Sequence, residues 1–184
     1  KKDLKKCFFA AKAVVLCTGG HTRIWANSSS REKENIGDGF HLAAKIGCSL
    51  IDMEMVQFHP TGMLLPKDKI GTLVTEAVRG EGGVLINNLG ERFMEKYDPE
   101  RLELSTRDRV AIANYSEILN NRGTKNGGVY LDISHKSKDF IMEKIPKIYE
   151  QFLKYQGLDI SKNKMEVAPT AHYSMGGIKV KSST

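Results

Sequence analysis

The chain has 184 residues, 40% of them hydrophobic and 27% charged, with 28 basic against 22 acidic side chains and a formal charge of +6. Such a composition belongs to an ordinary globular domain and excludes the disordered, collagen-like and disulfide-scaffold classes. A membrane-spanning helix needs about 20 mostly apolar residues, and the run Ala13–Cys17 falls far short of that.

Lys1, Lys2, Lys5, Lys6 and Lys12 crowd the start of the chain. The run reads as a solvated face or a frayed end rather than a contact for nucleic acid or anionic lipid. The first residue is Lys1, so the start reads as a cut end. Cys7, Cys17 and Cys48 are odd in number and outside any C-x-x-C pattern, which argues against a disulfide framework or a zinc site and fits a reducing compartment.

Ala13-Val-Val-Leu-Cys17, closed by Thr18-Gly19-Gly20, predicts a strand buried on both faces, with a diglycine where backbone approaches a ligand. From His21 to Asn35 there is no period, and the stretch with Ser28-Ser29-Ser30 reads as an exposed loop. Phe40–Ile46 predicts a short helix capped by Asp38 and ended by Gly47. Ser49–Phe58 predicts a strand that Pro60 stops.

The glycine-rich passage Thr75–Gly83 follows. Val84–Ile86 and Arg92-Phe93 flank Asn87–Gly90 as a hairpin. Ser105 with Asp108 three residues on predicts a capping-box-like helix start, Arg107 in the first turn and Gly123 at the end. Val129–Leu131 is a short strand. Phe140, Ile141, Ile145, Ile148, Phe152 and Leu153 recur at helical spacing, with Pro146 opening a second helix. Ala168–Gly177 reads as another glycine-punctuated loop.

The residues hardest to explain as structure are His59 with Thr61, Thr75 with Glu76, and His172 with Tyr173. Joined by Arg107, they supply hydrogen-bond donors and a fixed positive charge, the combination that holds a small dicarboxylate. Each has a plainer reading. His59 serves equally as a strand-end histidine or as a general acid or base. On its local segment alone Thr75 is a helix N-cap and Glu76 a first-turn acid. Arg107 has Asp108, Asp98 and Glu103 as surface partners in the sequence. No G-x-x-x-x-G-K-[ST] occurs, and Leu42 and Leu85 stand where a dinucleotide fingerprint needs its third glycine. H-E-x-x-H and G-x-S-x-G are also missing from the sequence, so metal hydrolysis and serine-esterase chemistry have no support.

Taken in order, Ala13–Gly20, Gly37-Asp38-Gly39, Met53–Gly62, Thr75–Gly83, Ser105–Asp108 and Pro169–Gly177 resemble the flavoprotein subunit of succinate dehydrogenase and fumarate reductase over nearly the whole chain. The resemblance implies an α/β plus α+β fold. Residues 1–54 would be part of a Rossmann-like FAD-binding domain, 55–167 an inserted capping domain, and 168–184 a return to the first. It implies FAD as cofactor, a succinate/fumarate substrate, hydride transfer at the flavin and proton transfer by an arginine.

Carried over by position, Arg107 is the proton shuttle and Glu76 an acid beside it. His59, Thr75 and His172 bind substrate carboxylates, and Thr18, Gly19, Gly20 and Asp38 contact FAD. The family further implies a partner, an iron-sulfur subunit, and a cytoplasmic location, peripheral on the inner face of a membrane through other subunits. Departures lie near the flavin: Cys17 for a usual alanine, His21-Thr22 for Ala-Gly, and Ile36 for a threonine. The family's opening GxGxxG turn and closing substrate arginine are not in this sequence, so the resemblance describes a fragment of a longer enzyme. L-aspartate oxidase is similar through Leu131–His135, coenzyme-thiol-linked fumarate reductases share the pattern, and a flavin-free capping or assembly module is the alternative from another class.

Overall fold

The computed structural model describes residues 7–181, so Lys1, Lys2, Lys5 and Lys6 of the basic start lie outside the described residues. The elements in chain order are α1 (Asp38–Lys45), β1 (Leu50–Ile51), β2 (Val56–Met63), α2 (Ala77–Gly80), β3 (Val84–Ile86), α3 (Met94–Tyr97), α4 (Arg107–Glu117), β4 (Val129–Asp132), α5 (Lys138–Lys144), α6 (Pro146–Gln156), β5 (Met165–Ser174) and β6 (Gly177–Ile178). Helix and sheet are mixed, in keeping with the class read from the sequence. A four-stranded antiparallel sheet of order β2-β5-β4-β3 forms the centre, and β1 pairs with β6 in a small second sheet.

The core lies where the four-stranded sheet meets the helices. Leu85, Leu131, Met165, Val110, Ile141 and Phe152 are all fully buried there. Helix α6 begins on Pro146, whose fixed φ and missing N–H suit a first helical position. It buries Ile148, Tyr149 and Phe152 on one face and ends at Gly157 in the left-handed conformation. Helix α4 packs on β2 and β5 and buries Val110, Ala113 and Glu117. Glu117 is not a stray buried charge. Arg122 donates to both its oxygens at 2.7 Å, Tyr97 at 2.8 Å and Asn87 at 2.9 Å, and the Arg122 bonds foremost hold its carboxyl down to about 2.

Several local expectations give way. Ala13–Cys17 is not a strand and is open rather than buried, with Val14 85% and Val15 84% exposed; among the described residues nothing pairs with its backbone, and a strand exists only through pairing. Asp38 does not cap α1: Gly37, at φ 89°, holds the cap position without a side-chain bond, and Asp38 is the first helical residue. Gly47 does adopt the left-handed conformation at the far end.

Pro60 does not stop β2. The pairing steps from His59↔Thr170 to Gly62↔Ala168, so β2 carries one residue more than β5 between those pairs. A bulge needs fewer backbone donors, which is why proline fits inside it. Asn87 still organises its turn, accepting from Leu89 N and Glu91 N at 3.0 Å each. The hairpin is nonetheless absent, because β3 pairs with β4 while Phe93 and Met94 turn inward at the start of α3. Ser105 gives its hydroxyl hydrogen to Asp98 at 2.6 Å instead of closing a capping box, a charge-assisted bond that outcompetes a backbone partner, and Thr106 becomes the cap residue of α4. Most of the presumed loop Ala168–Gly177 is strand β5.

Candidate active site

Strand β2 and strand β5 run side by side and bring His59 and His172 together, their ring centroids 5.5 Å apart and nearly perpendicular. His59 sits in the β2 bulge and is buried. The Thr61 N–H donates to its Nδ1 at 3.3 Å, while the Thr61 hydroxyl donates to Val74 O at 2.7 Å. A backbone N–H can only donate, so the neutral imidazole carries its proton on Nε2. Burial first, then the charges of His172, Arg79 and Arg107, lower the His59 pKa to about 4. His172 is also lowered, by burial and then by Arg107. Both rings are neutral donors near pH 7.

Helix α4 starts at Arg107 and aims that residue at the same place. Its Nε donates to Glu76 Oε2 at 2.8 Å and its Nη1 to Gln57 Oε1 at 3.3 Å. The surface partners the sequence offered are engaged elsewhere: Asp98 with Ser105 and Arg109, Glu103 with Arg92. Glu76 is held below the ordinary glutamate range chiefly by that bond from Arg107. The pair is open to water, with side chains 41% and 48% exposed. Thr75 adjoins Glu76 and accepts from Ala77 N at 3.4 Å, a turn within its own segment rather than the expected helix cap, since α2 begins after Glu76.

Arg79 escaped the sequence reading, although an arginine amid Ala77, Val78 and Gly80 was its visible signal. It is only 2% exposed. One guanidinium nitrogen bonds Glu103 O, Nη2 lies 3.8 Å from Glu76 Oε1, and Nε and Nη2 have no hydrogen-bond partner. Burying a cation this incompletely paired costs several kcal/mol. Desolvation is the main reason its pKa is lowered. Two guanidinium groups against one carboxylate, with two neutral imidazoles beside them, leave a surplus of positive charge that suits an anion.

A cavity of about 400 Å³ lies against this cluster, lined by Gly19, Gly20, Asn35, Phe40, His172 and Ser174 among others. Gly19, Gly20 and Gly176 share its lining with the rings of Phe40, His172 and Tyr173 and with short polar side chains. A Cβ on Gly20 would fall 2.3 Å from Ser174 Oγ, and one on Gly176 would fall 1.9 Å from Asp52 O. Glycine is thus what lets these segments close into one concave surface, and a concave wall that combines glycine backbone with aromatic side chains fits a large planar cofactor such as a flavin. Gly19 and Gly20 stand in that wall. Thr18 instead packs on Gly39, where a Cβ would meet its hydroxyl, and Asp38 is exposed at the head of α1, outside the lining residues.

Comparison with known proteins gives a consistent result. The family model described as "FAD binding domain" matches residues 2–184. One subunit of the fumarate reductase (CoM/CoB) from Methanothermobacter marburgensis is 55% identical over 172 residues, covering 94% of this chain and 31% of that protein. The 8-methylmenaquinol:fumarate reductase flavoprotein subunit of Wolinella succinogenes is 44% identical over 173 residues, covering 92% and 27%. Among solved structures, Mycobacterium smegmatis Sdh1 in complex with UQ1 superposes with a TM-score of 0.78 at 48% identity, over 93% of this chain and 28% of that one. The chain therefore spans less than a third of each of these three relatives. No helix among the described residues is long and apolar enough to cross a membrane.

Proposed function

The chain belongs to the FAD-binding domain family, among the flavoprotein subunits of succinate dehydrogenases and fumarate reductases, and we propose that it supplies the substrate-binding and proton-transfer groups of an enzyme interconverting succinate and fumarate. The observation that carries this reading is the Arg107–Glu76 pair placed with Arg79 beside two neutral histidines. FAD, the cofactor of the family, would supply hydride transfer when bound, with Gly19 and Gly20 holding it from the cavity wall and Thr18 and Asp38 acting from beside that wall rather than in it.

The chain's own groups divide the remaining work. The Nε2–H of His59 and a ring N–H of His172, with the Thr75 hydroxyl, donate to the substrate carboxylates, and the positive surplus of Arg79 and Arg107 offsets their charge. Arg107 hands a proton to the substrate carbon. An arginine is a poor acid because its neutral form is so unstable. Glu76 answers that difficulty, since it touches Arg107 Nε at 2.8 Å and reaches water on its other side, so it returns a proton as soon as one leaves. Residues 1–54 and 168–184 serve the FAD-binding part and 55–167 the capping part. The full protein works with an iron-sulfur subunit, on the cytoplasmic face of a membrane through other subunits.

The test uses the full-length flavoprotein with its flavin chemically reduced. Fumarate reoxidises it rapidly and succinate reduces the oxidised form. A flavin that responds to L-aspartate and not to succinate, or a protein that binds no flavin, overturns the reading.

A further inference from the structure

The loop from His21 to Asn35 is neither free nor uniformly exposed, for His21, Thr22 and Ser28 are buried. It lies along β5 in a one-residue parallel bridge, with Ala171 N donating to Asn27 O and Ser29 N to Ala171 O, both at 2.9 Å. On its other side it rests on Gly71, at φ 85°, where an added Cβ would come within 2.1 Å of Ser28 O. The three serines have separate partners. Ser28 Oγ accepts from Ser30 N, Ser30 Oγ accepts from Asn35 Nδ2, and Ser29 Oγ stands 2.8 Å from His172 Nδ1.

Ser29 has one hydroxyl hydrogen and two acceptors in reach, His172 Nδ1 at 2.8 Å and Ala171 O at 3.3 Å. The carbonyl already receives the Ser29 N–H at 2.9 Å. Of the two contacts the one to the carbonyl is long and the one to the ring nitrogen short, and we place the hydrogen on the shorter line. We propose that Ser29 is a positioning residue which locks His172 in the tautomer carrying its proton on Nε2, and so aims an N–H donor at a substrate carboxylate. Thr61 does the same for His59 with a backbone N–H. The two imidazoles are thereby set alike by unlike means, one by the strand's own bulge and the other by a loop from outside the sheet. The carboxylate as recipient rests on the function proposed above; the tautomer does not.

The experiment compares full-length flavoprotein with its S29A, S29V and S29T variants. Nitrogen-15 NMR of labelled histidines, with the His172 signal identified through H172Q, reads the tautomer without any substrate. The wild type shows an Nε2–H ring and S29T keeps it, whereas S29A and S29V show mixed tautomers. With one orienting bond lost, KM for the dicarboxylate rises about tenfold in S29A and S29V while kcat changes less than about twofold. S29V matches threonine in volume, so a difference between those two variants reports the hydroxyl rather than packing. A His172 tautomer unchanged in S29A, or an altered tautomer with an unchanged KM, overturns the positioning role. A protein without dicarboxylate activity whose His172 tautomer still depends on Ser29 overturns the function proposed above and leaves the hydrogen-bond assignment standing.

Discussion

Gly19, Gly20 and Gly176 offer their cavity mostly backbone, whereas Glu76, Arg79, Arg107, His59 and His172 meet through charge and hydrogen-bonding side chains. The first region works by shape: each glycine is there because a neighbour occupies the place a Cβ would take. The second works by burial and field: burial and then Arg107 lower His172, and burial and then His172, Arg79 and Arg107 lower His59, so both rings stay neutral. A binding wall for a large cofactor tolerates few atoms and needs no charge of its own. A site for a small anion that also moves a proton needs charges held in fixed relation. Damage to one region should leave the other readable.

The largest effect is expected at Arg107. In the full-length protein Arg107→Lys keeps one charge but loses the planar fork that serves Glu76 and Gln57 together, and turnover should fall about 10³-fold or more. Bound flavin per protein, read by absorbance, should stay at the wild-type value. If flavin is lost as well, the two regions are not separable. Next comes Gly176→Ala, whose Cβ would press on the Asp52 carbonyl rather than on a yielding side chain. Overpacking of this kind costs about 1–3 kcal/mol, so flavin affinity by titration should drop about tenfold while the His59 titration stays unchanged.

The smallest effect concerns pH. His59 is lowered from 6.5 to about 4 in the folded protein, so between those values the unfolded chain binds the extra proton and the folded chain does not. Folding stability from this group is therefore intact above about 6.5 and declines as pH falls toward about 4. His59→Asn should flatten that part of the stability profile, measured by denaturant unfolding at several pH values. A profile unchanged by the substitution would mean that neither burial nor the neighbouring charges lower His59.

The motif positions in the sequence marked His59, Glu76, Arg107 and His172, and the structure gathers these four into one cluster. Helices α4, α5 and α6 were legible for the same reason: cap, proline and glycine signals and apolar spacing act within one turn of chain. The strands were less so. Whether Ala13–Cys17 pairs, whether Pro60 ends a strand, and whether Val84–Ile86 turns back on Arg92-Phe93 depend on which distant backbone lies alongside. Arg79 and Ser29 were missed because their meaning is a position in space. An arginine between small residues and one serine in a run of three look unremarkable until Glu76 and His172 are placed next to them.

The sequence by itself determined which side chains are present, where the longer helices α4 and α6 lie, and the family to which these motifs belong, because those signals are local or lie in motif order. Only the tertiary structure decided that one histidine is set by a strand bulge and the other by a loop serine, that Glu76 rather than Asp108 holds Arg107, and that a second arginine is buried beside them. Hydrogen-bond partnership and electrostatic field fall off within a few ångströms of space, and residues 31 or 143 apart in the chain meet only after folding.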